Sequence, residues 1–332
     1  MNNEMTNNTQ PEKVYAAPKF LTRKTKRLIF YTLMIALPFL QFLLFYVYVH
    51  IDSFAMAFRV EMIDHNGLLH RYYSWDENFK AVFAYLKADE YIGITNSLRN
   101  YFITFFTSGI LSIFFSYYVY KKFIGSGVFK VFLYLPSIIS AIILVVVYKE
   151  ILNRIIPTAY NEIFGLEGDQ AMNALLNSDK DKYTWVLAYA IFMGFGGNIL
   201  MYTGAMSGIN ESVVESAQLD GVNAFQEFWY ITLPLIYPTF VTFTITGIAA
   251  IFTGHPNLHT FFGMADPFTY KIHTLGFTIF ASVREGSIIT TKAGNLLSLT
   301  QVSALGLLIS AVMLPTTLIL KKVMTKYGPS TD

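Results

Sequence analysis

His255 and His259 stand four residues apart, a spacing at which two imidazoles can share one helix face and hold a metal ion. The pattern goes no further. No glutamate follows His255 as a metalloprotease helix would require, Pro256 allows a regular helix only from about that point, and no third ligand cluster is evident. The two are read as ordinary loop histidines. The chain has neither a G-x-x-x-x-G-K-S/T phosphate loop nor a G-x-S-x-G nucleophile elbow. It is therefore not expected to be an enzyme or to hold a cofactor of its own. With no cysteine, disulfides and thiolate metal sites are excluded. Two sets of polar residues remain. Glu211, Glu215, Asp220 and Glu227 crowd one stretch between Ile209 and Pro238, and Gln41, Asn198, Thr203, Thr244, Thr246 and Gln301 lie inside apolar runs. Polar side chains are costly in hydrocarbon and turn toward a bundle or a cavity. Each of the second set either hydrogen-bonds a neighbouring helix or lines a path.

The acidic stretch must be held by a helix, a corner and a second helix. Asn210 is placed to cap the first, since its short side chain can accept from free N–H groups of the following turn. Glu211 and Glu215 fall on its early turns, where the helix dipole favours negative charge. Val213 and Ala217, four apart, share a face. Gly221 follows Asp220 where the helix should end, because glycine enters the left-handed region without a steric penalty. A second short helix is expected from about Ala224 to Tyr230, with Phe225, Phe228 and Trp229 on one side, and Pro234 and Pro238 limit its continuation.

The rest of the chain places this stretch in a membrane. With 54% hydrophobic and only 14% charged residues, its composition is not that of an average soluble domain. A bilayer core needs apolar helices of roughly 17–25 residues. Six such runs are expected, at about 28–50, 101–120, 129–151, 184–206, 239–253 and 296–320. Residues 1–18 read as a disordered tail and 327–332 as a short C-terminal tail, leaving 19–326 as the membrane domain. Outer loops follow spans one, three and five. The first carries a short helix at about Glu77–Ala88, and the third an amphipathic stretch from Thr274 to Val283. Lys19, Arg23, Lys24, Lys26 and Arg27, then Lys121 and Lys122, and finally Lys321, Lys322 and Lys326 all fall on one side, which is the cytoplasmic side by the positive-inside rule. Both termini are then cytoplasmic. The acidic stretch lies on that side as well, where it either meets a basic partner or merely connects two spans. A net charge of +2 is too small to imply nucleic acid.

The string Glu215-Ser216-Ala217, Asp220-Gly221 and Ile231-Thr232-Leu233-Pro234 resembles the signature loop of the permease subunits of type I ATP-binding-cassette importers, most of all the carbohydrate, maltose-type branch. Ser216 replaces the usual middle alanine, small for small. The resemblance implies an all-α integral membrane protein of about six spans in a bacterial inner membrane. It implies four kinds of partner: a second permease subunit, two cytoplasmic ATPase subunits that bind ATP and Mg, an extracytoplasmic solute-binding protein, and the lipid bilayer. The long first outer loop favours a second subunit that is a different chain. Glu211, Glu215, Ala217, Asp220, Gly221, Phe225, Phe228 and Trp229 would form the ATPase-coupling surface. Spans four and five line the translocation path in the permeases that the chain resembles. For a sugar, that path would combine Phe195, Asn198 and Tyr202, at helical spacing on span four, with Thr246, Phe252 and Thr253 on span five. The same face would equally serve to pack a neighbouring helix. Alternatives are uptake of another small solute, such as a polyamine or phosphonate, and a membrane scaffold that recruits a cytoplasmic partner.

Overall fold

A computed structural model describes residues 22–63, 68–168, 171–178, 181–285 and 296–329. The expected tail at 1–18 and the last residues of the expected C-terminal tail lie outside them. The chain divides into two units, residues 1–53 and 54–332. In the first, Thr22 caps a helix over Arg23–Gln41 that passes into a π-helical stretch at Phe42–Tyr48. Pro38 is accommodated inside it, as membrane helices allow.

Among its described residues, the second unit is all-α except for one hairpin. Its strands, β1 (Arg59–Ile63) and β2 (Leu69–Tyr73), pair antiparallel with Arg59 opposite Tyr73. The expected helix follows at Glu77–Ala88, and its buried Asn78 donates to the carbonyls of Ala57 and Arg59, fixing hairpin to helix. Among the described residues of the whole chain, four helical segments are long and apolar enough to cross a membrane: Arg23–Ala57, Ile92–Tyr120, Lys182–Ser207 and Leu299–Tyr327. Counting each of two bent pairs as one span gives six.

Span two begins earlier than its apolar run, at Ile92 rather than near 101. Tertiary hydrogen bonds hold the polar extension. Asn96 donates to the carbonyls of Lys271 and His273, and Ser97 Oγ accepts from the Leu275 N–H. Span three is not one helix over 129–151. It runs Ser126–Ile138, breaks where Ile139 becomes extended, and resumes at Ala141. The helical path then continues to Phe164, so the expected polar loop starts about three turns late, after Gly165 turns left-handed. Span four matches its expected limits closely. Span five starts at Tyr237 with Pro238 in its first turn, and the helical path bends by 62° there. Gln301 lies in the first turn of span six, where it exchanges hydrogen bonds with the N-cap Ser298 in a capping box.

The loop after span five, expected on the outer side, folds into short helices at Leu258–Phe262 and Asp266–Thr269 and a longer one at Leu275–Glu285. Leu258, Phe261 and Phe277 of this loop share a buried core with Val186 and Tyr189 of span four and Val145 of span three. A buried His273–Asp89 contact of 2.9 Å joins the loop to the corner before span two.

Candidate functional site

Two regions collect the residues singled out above. The first is the acidic loop. Asn210 Oδ1 accepts from the Ser212 N–H at 3.1 Å and starts the helix Glu211–Leu219. Gly221 sits at φ +80 with open space around it, so the corner needs glycine for its backbone and not for lack of room. Asn223 then caps the second helix, Ala224–Glu227, in a reciprocal bond with Gln226. That capping box was legible as N-x-x-Q, a signal missed above.

Glu211, Glu215 and Asp220 are exposed, as is Leu219, while Ala217 packs inward. The three aromatics do not share a face. A π-helical stretch begins at Phe228 and changes the register, so Phe225 and Trp229 stay outside with their rings 6.1 Å apart. Phe228 is buried, its ring 4.9 Å from Tyr117 and 5.1 Å from Phe114. Glu227 is likewise no free surface charge, because both its carboxylate oxygens accept from Lys121. The outward set is therefore Glu211, Glu215, Asp220, Phe225 and Trp229.

The second region is a cavity of about 530 Å³ between spans two, four and five and the start of the third outer loop. Asn198, Tyr202 and Thr246 line it together. Phe195 does not; its ring packs on Phe115 at 5.8 Å. Phe252 is drawn into a different hydrophobic cluster, and Thr253 folds its hydroxyl back onto the Ala250 carbonyl. The reason is local. Spacing alone puts 195 beside 198 and 202, but Phe115 of span two supplies apolar surface for the larger ring. Span five ends at Ala249, which takes Phe252 and Thr253 off its helical face.

Asn100, Tyr101, His255 and Asn257 also line the cavity, and sequence reasoning missed all four. Asn100 lies in the polar extension of span two that only tertiary contacts make helical. His255, read above as an ordinary loop residue, stacks on Phe280 at 4.8 Å, and its Nδ1 is buried without a partner among the described residues. Burial, with a lesser contribution from nearby His259, lowers its pKa below the usual imidazole value and keeps the ring neutral. Among the described residues that line the cavity, none is Asp, Glu, Lys or Arg. The wall offers amide, hydroxyl and imidazole groups beside tyrosine and phenylalanine rings. This chemistry suits a solute with hydroxyl edges and apolar C–H faces.

A family described as "binding-protein-dependent transport system inner membrane component" matches residues 107–325. The arabinooligosaccharides transport system permease protein AraP of Halalkalibacterium halodurans is 28% identical over 37% of this chain and 38% of that protein. The match thus spans well under two thirds of that relative. The sn-glycerol-3-phosphate transport system permease protein UgpA of Shigella dysenteriae is 28% identical over 68% of this chain and 76% of its own length. Among solved structures, a bacterial alginate ABC transporter in complex with an alginate pentasaccharide-bound periplasmic protein shares the fold. Its TM-score is 0.69 at 19% identity, over 92% of this chain and 96% of that one.

Proposed function

Because the chain belongs to the family of inner membrane components of binding-protein-dependent transport systems, we propose that it is the permease subunit of an ATP-binding-cassette importer for a sugar or oligosaccharide. The acidic loop is its seat on a cytoplasmic ATPase subunit, and ATP hydrolysis belongs to that partner. The observation that carries the reading is the pairing of the two regions in one unit: an exposed acidic and aromatic helix pair, and an uncharged cavity lined by Asn198, Tyr202 and Thr246. Glu211, Glu215 and Asp220 present negative charge that a basic groove would complement. Phe225 and Trp229 supply apolar contact area beside it. With both termini cytoplasmic, the hairpin and the helices between Leu258 and Glu285 face outward, where a solute-binding protein would dock. The relatives that carry sugars, and the alginate transporter with its periplasmic protein, support this assignment of partners.

The uncharged wall favours a neutral oligosaccharide over an acidic one. Reconstitution with the second permease subunit, the ATPase and the solute-binding protein tests the whole reading. Neutral arabino-oligosaccharides or maltodextrins should stimulate ATP hydrolysis and enter the vesicles. Failure of every saccharide, with the complex assembled, would overturn the proposal.

A further inference from the structure

The acidic loop is fastened to the spans by an ion pair between a half-buried lysine and a buried glutamate. Lys121 closes the helix Ile110–Tyr120 at the end of span two, and its Nζ donates to both carboxylate oxygens of Glu227, at 2.9 and 3.0 Å. The two side chains are 18% and 3% exposed. Beside the pair, Tyr117 Oη donates to the Ala224 carbonyl at 2.7 Å, and Phe228 packs on the rings of Tyr117 and Phe114. These contacts join the second loop helix, and the π-helical turn that follows it, to span two. Tyr117 in turn shares a buried cluster with Tyr202 and Met206 of span four, and Tyr202 is part of the cavity wall. A continuous packed route therefore runs from Glu227 to the cavity.

An exposed ion pair would add little, but removing one member of a buried pair leaves an uncompensated charge. The pair thus holds the second loop helix in one orientation against span two. We propose that Lys121 and Glu227 are positioning residues that make span two the first spanning element to follow the loop, passing its displacement through Tyr117 and Tyr202 to the cavity. The proposal rests on the reading of the loop as the ATPase seat.

The test needs no knowledge of the solute. The chain has no native cysteine, so Asn198→Cys places a single thiol in the cavity. The complete complex in nanodiscs is treated with a maleimide, with and without ATP plus vanadate, and modification is read from the mass of this chain. Nucleotide should change the modification rate. Glu227→Gln and Lys121→Met should each shrink that nucleotide response about fivefold or more, while the ATPase still co-purifies and hydrolyses ATP. The exchanged pair, Lys121→Glu with Glu227→Lys, should restore most of it. A full response in both single variants overturns the proposal, and so does an exchanged pair no better than either one. Should a single variant fail to assemble, the exchanged pair decides alone: a restored response supports the proposal and a lost one overturns it. If nucleotide has no effect even with the pair intact, the reading of the loop itself fails.

Discussion

Gly194 faces Ser108 where span four crosses span two, and a methyl group there has no room. A Cβ built on Gly194 would lie 2.5 Å from Ser108 Oγ and 3.3 Å from Ser108 Cβ. Gly194→Ala must therefore push the two helices apart or force Ser108 off its rotamer, and such overpacking costs about 1–3 kcal/mol. Ser108 Oγ is buried and makes no hydrogen bond among the described residues. Removing an unpaired buried hydroxyl leaves no partner stranded, so Ser108→Ala alone should be close to neutral. The double variant keeps only the 3.3 Å approach, which a shift of a few tenths of an ångström relieves. Its stability should return to within about 1 kcal/mol of the parent, leaving a coupling energy within the range of about 0.5–3 kcal/mol seen for residues in contact. Titration of the detergent-solubilised chain with sodium dodecyl sulfate, followed by loss of helical ellipticity, reads all four stabilities. Strict additivity would mean that the two residues do not meet, contrary to the 2.5 Å approach. Since both line the cavity, Gly194→Ala should also slow uptake in the reconstituted complex, with Ser108→Ala restoring it.

Glu215→Lys should abolish solute-driven ATP hydrolysis while membrane insertion persists, because it puts repulsion where a basic partner groove is expected; unchanged hydrolysis would make the loop a connector only. Gly221→Pro should do the same, since proline cannot take the +80° φ of the corner, and a coupled Gly221→Pro complex would contradict this. Asn198→Ala should raise the apparent KM for uptake without changing basal ATP hydrolysis, and an unaltered KM would remove Asn198 from the path. The lowered pKa of His255 means that the unfolded chain binds the proton more readily. Its contribution is thus complete above pH 6.5, the ordinary value, and is lost as pH falls from there through the folded value. Unfolding curves should show stability falling below pH 6.5, with His255→Gln flattening the slope; an equal slope in that variant would point to another group.

Features set by near neighbours in sequence were the legible ones. Asn210 capping and the Gly221 corner follow from backbone rules that operate within a few residues, and span four follows from a long apolar run. The signature string was readable in the same way, and the family match over residues 107–325 agrees with it. Features that depend on distant partners were not legible. Glu227 looked like surface charge until Lys121, remote in sequence, came to lie against it. Asn96 and Ser97 made the start of span two look like loop, although hydrogen bonds to residues 271–275 hold it helical. Phe228 was expected outside because a regular helix was assumed, and the π-helical stretch turns it inward. In the cavity, helical spacing grouped Asn198 with Tyr202, and the family resemblance pointed to Thr246 on span five. Periodicity went no further. It misplaced Phe195 for want of Phe115, and it had no means of bringing His255 or Asn257 in from the outer loop.

If the acidic loop is the seat of a cytoplasmic ATPase, a photo-crosslinker in place of Glu215 should capture that subunit. Inner membranes carrying the complete complex are irradiated, and the partner attached to this chain is identified by mass spectrometry. A crosslink to the ATPase subunit is expected, and it should disappear when Gly221→Pro is added, because the corner then no longer presents the helix. Attachment only to lipid or to this chain itself, in a complex from which the ATPase co-purifies, would contradict it.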